Sequence, residues 1–228
     1  MWPWRRRRTS GFPTSANGAS SMHLWWHPSP TVERAAVDLE VVVPPAVDHL
    51  YFWALQASFT DGSGRRYGGA HLGLQWHPAH PGRTAVNWGG YAPAGGELDG
   101  SVSPFPSATG NPNTRDLPWE PGRPYRLAVR RDADGWVGTV DGVEVRTLHA
   151  GGDRLAGLVV WSEVFARCDD PSVTVRWSGF DPVPAGLRAT YQSTADGGCA
   201  NTTALPGGLQ VTNHDRQVVD GAIIPPGS

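Results

Sequence analysis

The 228-residue sequence contains no lysine, and all 19 of its basic residues are arginine. Chemistry that needs a lysine amine, such as Schiff-base formation or attachment of pyridoxal phosphate, is therefore excluded. A phosphate-binding loop and a Gly-x-Gly-x-x-Gly fingerprint are also missing, so nothing indicates nucleotide binding. No apolar run approaches the roughly 20 residues that a membrane-spanning helix needs. We expect a protein that uses no cofactor and does not enter a membrane.

Charged residues are scarce, and their distribution is uneven. They make up 18% of the chain, compared with roughly 25% in an average globular protein. The formal net charge is −2, and four positive charges lie in the run Arg5–Arg8, so the rest of the chain carries −6. A mildly acidic body argues against nucleic acid as a partner. Gly-, Ser- and Pro-rich sequence continues to Ser21, which predicts a disordered arm over residues 1–22, or a true start at Met22.

Only two cysteines occur, Cys168 and Cys199, and both lie in predicted loops. An even number in exposed segments is compatible with one disulfide between them, which would imply an extracellular protein. No secretory signal is visible, and two loop thiols in a cytoplasmic protein fit the sequence equally well. The compartment is therefore left open.

Glycine and proline are abundant, with 29 and 21 residues, and tryptophan occurs 11 times. From Val37 onward, apolar and polar residues alternate with a period of two, which is typical of half-buried strands. The pair Asp141-Gly142 is a strong signal for a two-residue hairpin. We predict an all-β protein with no helix: an antiparallel two-sheet sandwich of nine or ten strands over residues 23–181. Residues 182–228 are predicted to form a C-terminal β extension packed on the sandwich.

The segment Tyr125–Val145 resembles the central strands of the concanavalin A-like lectin/glucanase and laminin-G-like sandwiches. The segment reads as a strand, a turn, a second strand, the Asp-Gly turn and a third strand. A later segment, Val173–Asp181, is similar to the closing strand of these proteins. The resemblance covers residues 37–181 and implies a concanavalin-like jelly roll. Because that superfamily contains carbohydrate-binding modules, glycoside hydrolases and polysaccharide lyases, it implies a glycan ligand without choosing between binding and catalysis.

A polar sheet face is predicted beside two hairpins. The hairpin that turns at 60–64 places Gln56 opposite Gly73, and the hairpin that turns at 77–82 places Asn87 opposite the same glycine. Amides and imidazoles can pair with sugar hydroxyls, and a glycine leaves space for a ligand. The alternative is the ordinary solvated face of an antiparallel sheet. The predicted ligand-binding residues of this face are Gln56, His71, Gln75, His77 and Asn87.

Aromatic rings in predicted loops are candidates for stacking on the apolar faces of sugars. We select Tyr91 and Trp119 as ligand-binding residues, whereas most of the 11 tryptophans fit a sandwich core. The other loop candidates are Trp25, Trp26 and Tyr67. Three histidines, His71, His77 and His80, have the residue type of a metal site, but a surface turn that contains histidines explains them better, and we predict no metal.

Three functions are compatible with these residues. The leading prediction is a non-catalytic module that binds a glycan or another polar small molecule. The second is a polysaccharide lyase, because Gln75-Trp76-His77 is similar to the Gln-x-His motif of alginate-lyase-like jelly rolls. That resemblance implies Gln75 as the neutraliser of a uronate carboxylate, His77 as the base and Tyr191 as the acid, although the arginine-bearing strand of those lyases is missing. The third is a structural or interaction module without a small ligand.

Hydrolysis by a retaining mechanism has weaker support in the sequence. Retaining glucanases with this fold carry a Glu-x-Asp-x-Glu series on one strand, whereas Glu163 stands alone in its segment. The enzyme question is therefore left uncertain.

Overall fold

The computed structural model describes residues 10–191, 200–205, 208–213 and 223–224, with side chains for residues 10–190, 223 and 224. Within these residues the chain forms two antiparallel β-sheets, and a short 3₁₀ turn at Pro81–Arg83 is the only helical element. The predicted all-β, two-sheet jelly-roll sandwich is therefore confirmed. No helix in this part of the chain is long and apolar enough to cross a membrane.

Fifteen strands follow one another along the described residues. They are β1 (Ser20–His27), β2 (Arg34–Val43), β3 (Tyr51–Thr60), β4 (Arg66–Trp76), β5 (Thr84–Tyr91), β6 (Thr114–Asp116), β7 (Pro124–Asp132), β8 (Gly135–Val140), β9 (Val143–Leu148), β10 (Arg154–Val164), β11 (Thr174–Asp181), β12 (Gly186–Tyr191), β13 (Ala200–Leu205), β14 (Gly208–Asn213) and β15 (Ile223–Ile224). One sheet has the order β15-β12-β1-β10-β3-β4-β5-β6, and the other has the order β13-β14-β11-β2-β7-β8-β9.

The tight turns behave as the sequence predicts. Asp141 and Gly142 join β8 to β9 with φ values of 51° and 79°, which is the geometry of a two-residue hairpin with left-handed backbone at both central positions.

The strand predicted from Val37 is found as β2, extended at its start to Arg34. The edge of the eight-stranded sheet is made by the short strand β6.

The core lies between the two sheets and is rich in tryptophan. Trp53 and Trp88 project into it from the eight-stranded sheet, and Trp136 and Trp177 project from the other. The indole of Trp88 donates to the carbonyl of Trp136, so a polar atom inside the core is paired. Period-two alternation along each strand thus sends one set of side chains into this core and the other set to the outer face of its sheet.

The arm predicted over residues 1–22 overlaps the first strand. The sequence places residues 20–22 in the arm, but the structure places them in β1, where they pair with β10. Met22 is buried in the core, and its partner strand lies some 140 residues later, so no local pattern reveals the pairing. The run Arg5–Arg8 lies outside the described residues.

The described C-terminal strands extend the two sheets. Strands β12 and β15 extend the eight-stranded sheet, and β13 and β14 extend the seven-stranded sheet at its edge. Cys168 is disulfide-bonded, and its predicted partner Cys199 lies outside the described residues.

Candidate functional site

The outer face of the eight-stranded sheet carries a groove with a volume of about 700 Å³. It crosses β10, β3, β4 and the end of β5, and the segments before β1 and after β5 close its sides. We call it the outer groove. Its main lining residues are Phe52, Gln56, His71, Tyr91, Trp161 and Glu163.

Strand register decides which side chains reach this groove. Gly73 pairs with Asn87, as predicted, but Gln56 pairs with His71 and not with Gly73. The shift is two residues, which preserves the face of every side chain because alternation in a strand has a period of two. The sequence therefore assigns Gln56, His71, Gly73 and Asn87 to the correct face while misplacing one hairpin along its length.

An aromatic cluster forms the floor of the outer groove. The rings of Phe52 and Trp161 meet edge to face at 4.8 Å between centroids, and His71 lies 5.4 Å from the first ring and 5.8 Å from the second. Tyr91 stands at the rim, 56% exposed, with its ring 6.5 Å from that of His71. The groove thus offers a buried apolar floor beneath one accessible aromatic ring.

The amide of Gln56 is oriented by this floor. The indole Nε1 of Trp161 donates to Gln56 Oε1 at 3.0 Å. Because the oxygen is engaged, the amide nitrogen is left to donate into the groove. A hydrogen-bond donor is therefore held at a fixed place above an aromatic surface.

Two histidines on this face are held neutral. Burial lowers the pKa of His71 to about 4, and burial likewise lowers the pKa of His23 to about 4. The ring of His23 stacks on that of Trp25 at 6.0 Å and lies in the groove lining beside Trp161. A neutral imidazole offers one donor and one acceptor, which suits an uncharged polar ligand.

Glu163 lies at one end of the groove and is its only carboxylic acid among the described lining residues. Asn17 Nδ2 donates to its Oε1 at 2.8 Å, and Ser21 Oγ donates to the same oxygen at 3.1 Å. Burial raises the pKa of Glu163, and these two hydrogen bonds offset part of the rise. Two neutral donors thus hold the carboxyl group, and no described cation forms an ion pair with it.

Several predicted site residues lie away from this groove. Gln75 and Asn87 share the sheet face but are 5% and 8% exposed, and Asn87 Nδ2 donates to Thr114 Oγ1 on the edge strand β6. His77 follows β4 in the turn, where its ring contacts that of His80 at 4.7 Å. Trp119 belongs to the core and donates to the backbone carbonyl of Gln75. The structure therefore brings together only Gln56, His71 and Tyr91 of the seven predicted ligand-binding residues.

The residues of the lyase interpretation are widely separated. Gln75 lies one residue before the end of β4, whereas Tyr191 ends β12 and pairs through its backbone with Met22 on β1. Three strands, β3, β10 and β1, lie between those of Gln75 and Tyr191. His77 does not line the outer groove, and the side chain of Tyr191 lies outside the described part.

Gly73 has a structural role that the sequence does not reveal. A side chain there would meet the carbonyl of Trp53 and would lie 2.6 Å from the Cα of Ala54. The glycine therefore permits close approach of β3 and β4, and the space above it is not open to a ligand.

Sequence reasoning missed the residues that come from β1 and β10. Trp161 and His23 were not selected as site residues, because the pairing of β10 with β3 and β1 is long-range. The alternation of Trp161 and Glu163 within Val159–Val164 was the sequence signal that could have placed both side chains on one sheet face.

Among the described residues, no group of three or more His, Cys, Asp or Glu side chains is arranged to hold a metal ion.

No protein-family model and no curated protein sequence matches the chain. Similar solved structures include the carbohydrate-binding module CBM66 from Bacillus subtilis, with 11% identity, a TM-score of 0.37, and coverage of 71% of this chain and 88% of that chain. A β-glucanase from Bacillus licheniformis has 6% identity, a TM-score of 0.35, and coverage of 72% and 86%. SCP-B, a peptidase of the Eqolisin family, has 8% identity, a TM-score of 0.39, and coverage of 90% and 98%. Similarities of this strength assign no function.

Proposed function

We propose that the outer groove binds a carbohydrate chain and does not cleave it. The observation that carries the proposal is an aromatic floor combined with hydrogen-bonding groups that are uncharged at neutral pH. Sugars present apolar ring faces and many hydroxyl groups, so they need both kinds of contact at once. A volume of about 700 Å³ lies within the usual range of ligand sites.

Each groove residue has a role in this proposal. Tyr91 stacks on a sugar ring at the rim, because it is the accessible aromatic side chain of the groove. Gln56 donates from its oriented amide nitrogen, and His71 offers a donor and an acceptor to neighbouring hydroxyls. Phe52 and Trp161 support these groups from below and exclude water from the floor.

The carboxylates of the groove and the positions of the lyase residues do not support cleavage. Glycoside hydrolysis uses a pair of carboxyl groups on either side of the scissile bond, whereas the described lining contains Glu163 alone. The lyase interpretation assigns His77 as the base for beta-elimination, and His77 does not line the groove. Both observations favour binding over turnover.

The test is binding of the full chain to a glycan array, followed by calorimetry on each glycan that is retained. Removing the ring in Tyr91→Ala should weaken binding about fivefold, since aromatic stacking is worth about 1 kcal/mol. Tyr91→Phe keeps the ring and should retain most of the affinity. Val102→Ala removes a side chain that is 92% exposed and lies outside the groove lining, so it is the surface control and should bind like the native chain.

Two results would contradict the proposal. Equal affinity of Tyr91→Ala and the native chain would place the ligand elsewhere. Release of new reducing ends or of unsaturated, ultraviolet-absorbing products from a bound glycan would show that the groove is catalytic.

A further inference from the structure

A second cavity adjoins the outer groove on the same sheet face. Its volume is about 600 Å³, and it lies over the end of β3, the turn at 61–64 and the bulge of β10 at Ala156–Gly157. Ser58 and Arg66 line both cavities. A chain-like ligand that extends from one cavity into the other therefore passes beside these two side chains.

Arg66 carries a charge that no carboxylate neutralises in the described part of the chain. Eight arginines there form ion pairs with Asp or Glu, and Arg66 is not one of them. Its one hydrogen bond runs from Nη2 to the neutral hydroxyl of Ser58, at 3.3 Å. The guanidinium is exposed at the junction of the two cavities and keeps most of its donors for a ligand.

The neighbouring charged groups are already engaged. Arg154, the other cation of the second cavity, is paired with Glu33. The carboxylate of Asp61 accepts hydrogen bonds from Ser63, from the backbone of Arg65 and from the hydroxyl of Tyr67. Arg66 is therefore the free cation of this surface, and no described carboxylate of the second cavity is left to pair with it.

A guanidinium is suited to carboxylate and sulfate groups, which it can bind with two parallel hydrogen bonds. We infer that the carbohydrate bound by the outer groove is acidic, and that Arg66 binds its carboxylate or sulfate group where the two cavities meet. The inference rests on the proposed function and names the class of glycan. One uncompensated cation beside neutral polar groups fits a glycan with spaced charges, whereas the dense charge of a nucleic acid needs several cations.

The test measures affinities of the full chain for two matched pairs of oligosaccharides. The first pair is tetragalacturonate and its methyl ester, and the second is a sulfated galactan oligosaccharide and its desulfated form. We expect at least one acidic member to bind about tenfold more tightly than its neutral counterpart, with an affinity that falls as salt concentration rises. The two pairs separate carboxylate recognition from sulfate recognition.

The variant Arg66→Gln should lose most of this preference and bind the acidic and neutral members about equally. Arg65→Gln is the matched control, because Arg65 is the adjacent exposed arginine, contacts the ring of Tyr67 and lines neither cavity. It should keep the native preference.

Each remaining outcome overturns a defined part of the argument. If neutral glycans bind as tightly as acidic ones, or if Arg66→Gln keeps the preference, the inference fails while the proposed function stands. If none of these oligosaccharides binds and the glycan array is also blank, the proposed function fails together with the inference.

Discussion

At the scale of single residues, burial decides how the ionisable groups of the outer groove behave. Glu163, His23 and His71 all lie on the same sheet face, and burial opposes the charged form of each. The pKa of Glu163 is therefore raised, whereas those of the two histidines are lowered. The two histidines are therefore uncharged at neutral pH, which leaves Arg66 as the one cation and Glu163 as the one carboxylate among the described lining residues of the groove.

Glu163 should make the stability of the protein depend on pH. Because its pKa is higher in the folded chain than the ordinary 4.5, the folded state holds the proton more tightly than the unfolded state does. This contribution is complete below about pH 4.5 and is lost as the pH rises through the folded pKa. Glu163→Gln keeps an oxygen for Asn17 and Ser21, so it should stabilise the protein on the order of 1 kcal/mol at pH 7.5 and leave it unchanged near pH 4.

Urea unfolding at the two pH values measures this difference. Glu120→Gln, at an exposed glutamate outside the groove, is the control and should change stability equally at both pH values. A pH-independent effect of Glu163→Gln would show that burial of the carboxylate is not what shifts its titration.

At the scale of elements, the β3–β4 hairpin shows what the sequence could predict and what it could not. Alternation assigned Gln56 and His71 to the correct face, because a period of two survives a slip of two residues. The exact pairing was missed, since β4 contains a bulge at Tyr67, next to the turn, that turn residues alone do not reveal. The role of Gly73 was also missed, because close approach of two backbones is a property of the pairing.

The close contact at Gly73 gives a direct test of that pairing. A methyl group at Gly73→Ala would clash with the backbone of Trp53 and Ala54, and the strands would have to separate in the middle of the sheet. We expect a loss of about 3 kcal/mol in the free energy of unfolding. Gly62→Ala is the control, because nothing lies within 4 Å of its added carbon. Chemical denaturation of both variants measures the difference, and equal stability would contradict the register.

The other half of the groove could not be derived from hairpin logic. Trp161 and Glu163 reach it because β10 pairs with β3 on one side and with β1 on the other. These partners are about 100 and 140 residues distant in the sequence, and no turn links them. Local signals therefore predicted the sandwich and one wall of the groove, and long-range pairing supplied the rest.

At the scale of the whole molecule, the N-terminal strand completes the larger sheet. β1 lies between β12 and β10, and residues just before it contribute Asn17 to Glu163 and the buried Ala19 to the interior. A chain that starts at Met22 would lose these contacts and the first pairs of the β1–β10 ladder.

Truncation should separate the contribution of this segment from that of the preceding residues. A chain that begins at Met22 should melt on the order of 5–10 °C below a chain that begins at Ser10, because strand pairs and buried side chains are lost. Differential scanning calorimetry of the two chains gives the comparison. Equal melting temperatures would mean that residues 10–21 do not contribute to the stability of the sandwich.

The position of β1 also has a consequence for biosynthesis. About 130 residues separate the end of β1 from the start of β10, so the first strand leaves the ribosome long before its neighbour exists. At synthesis rates of about 5–20 residues per second, that interval lasts roughly 6–26 seconds. Throughout it, an apolar strand with unpaired edges is accessible to other nascent chains and to chaperones. The arrangement that gives the finished groove one of its walls thus also leaves the first strand without its sheet neighbours while the rest of the chain is translated.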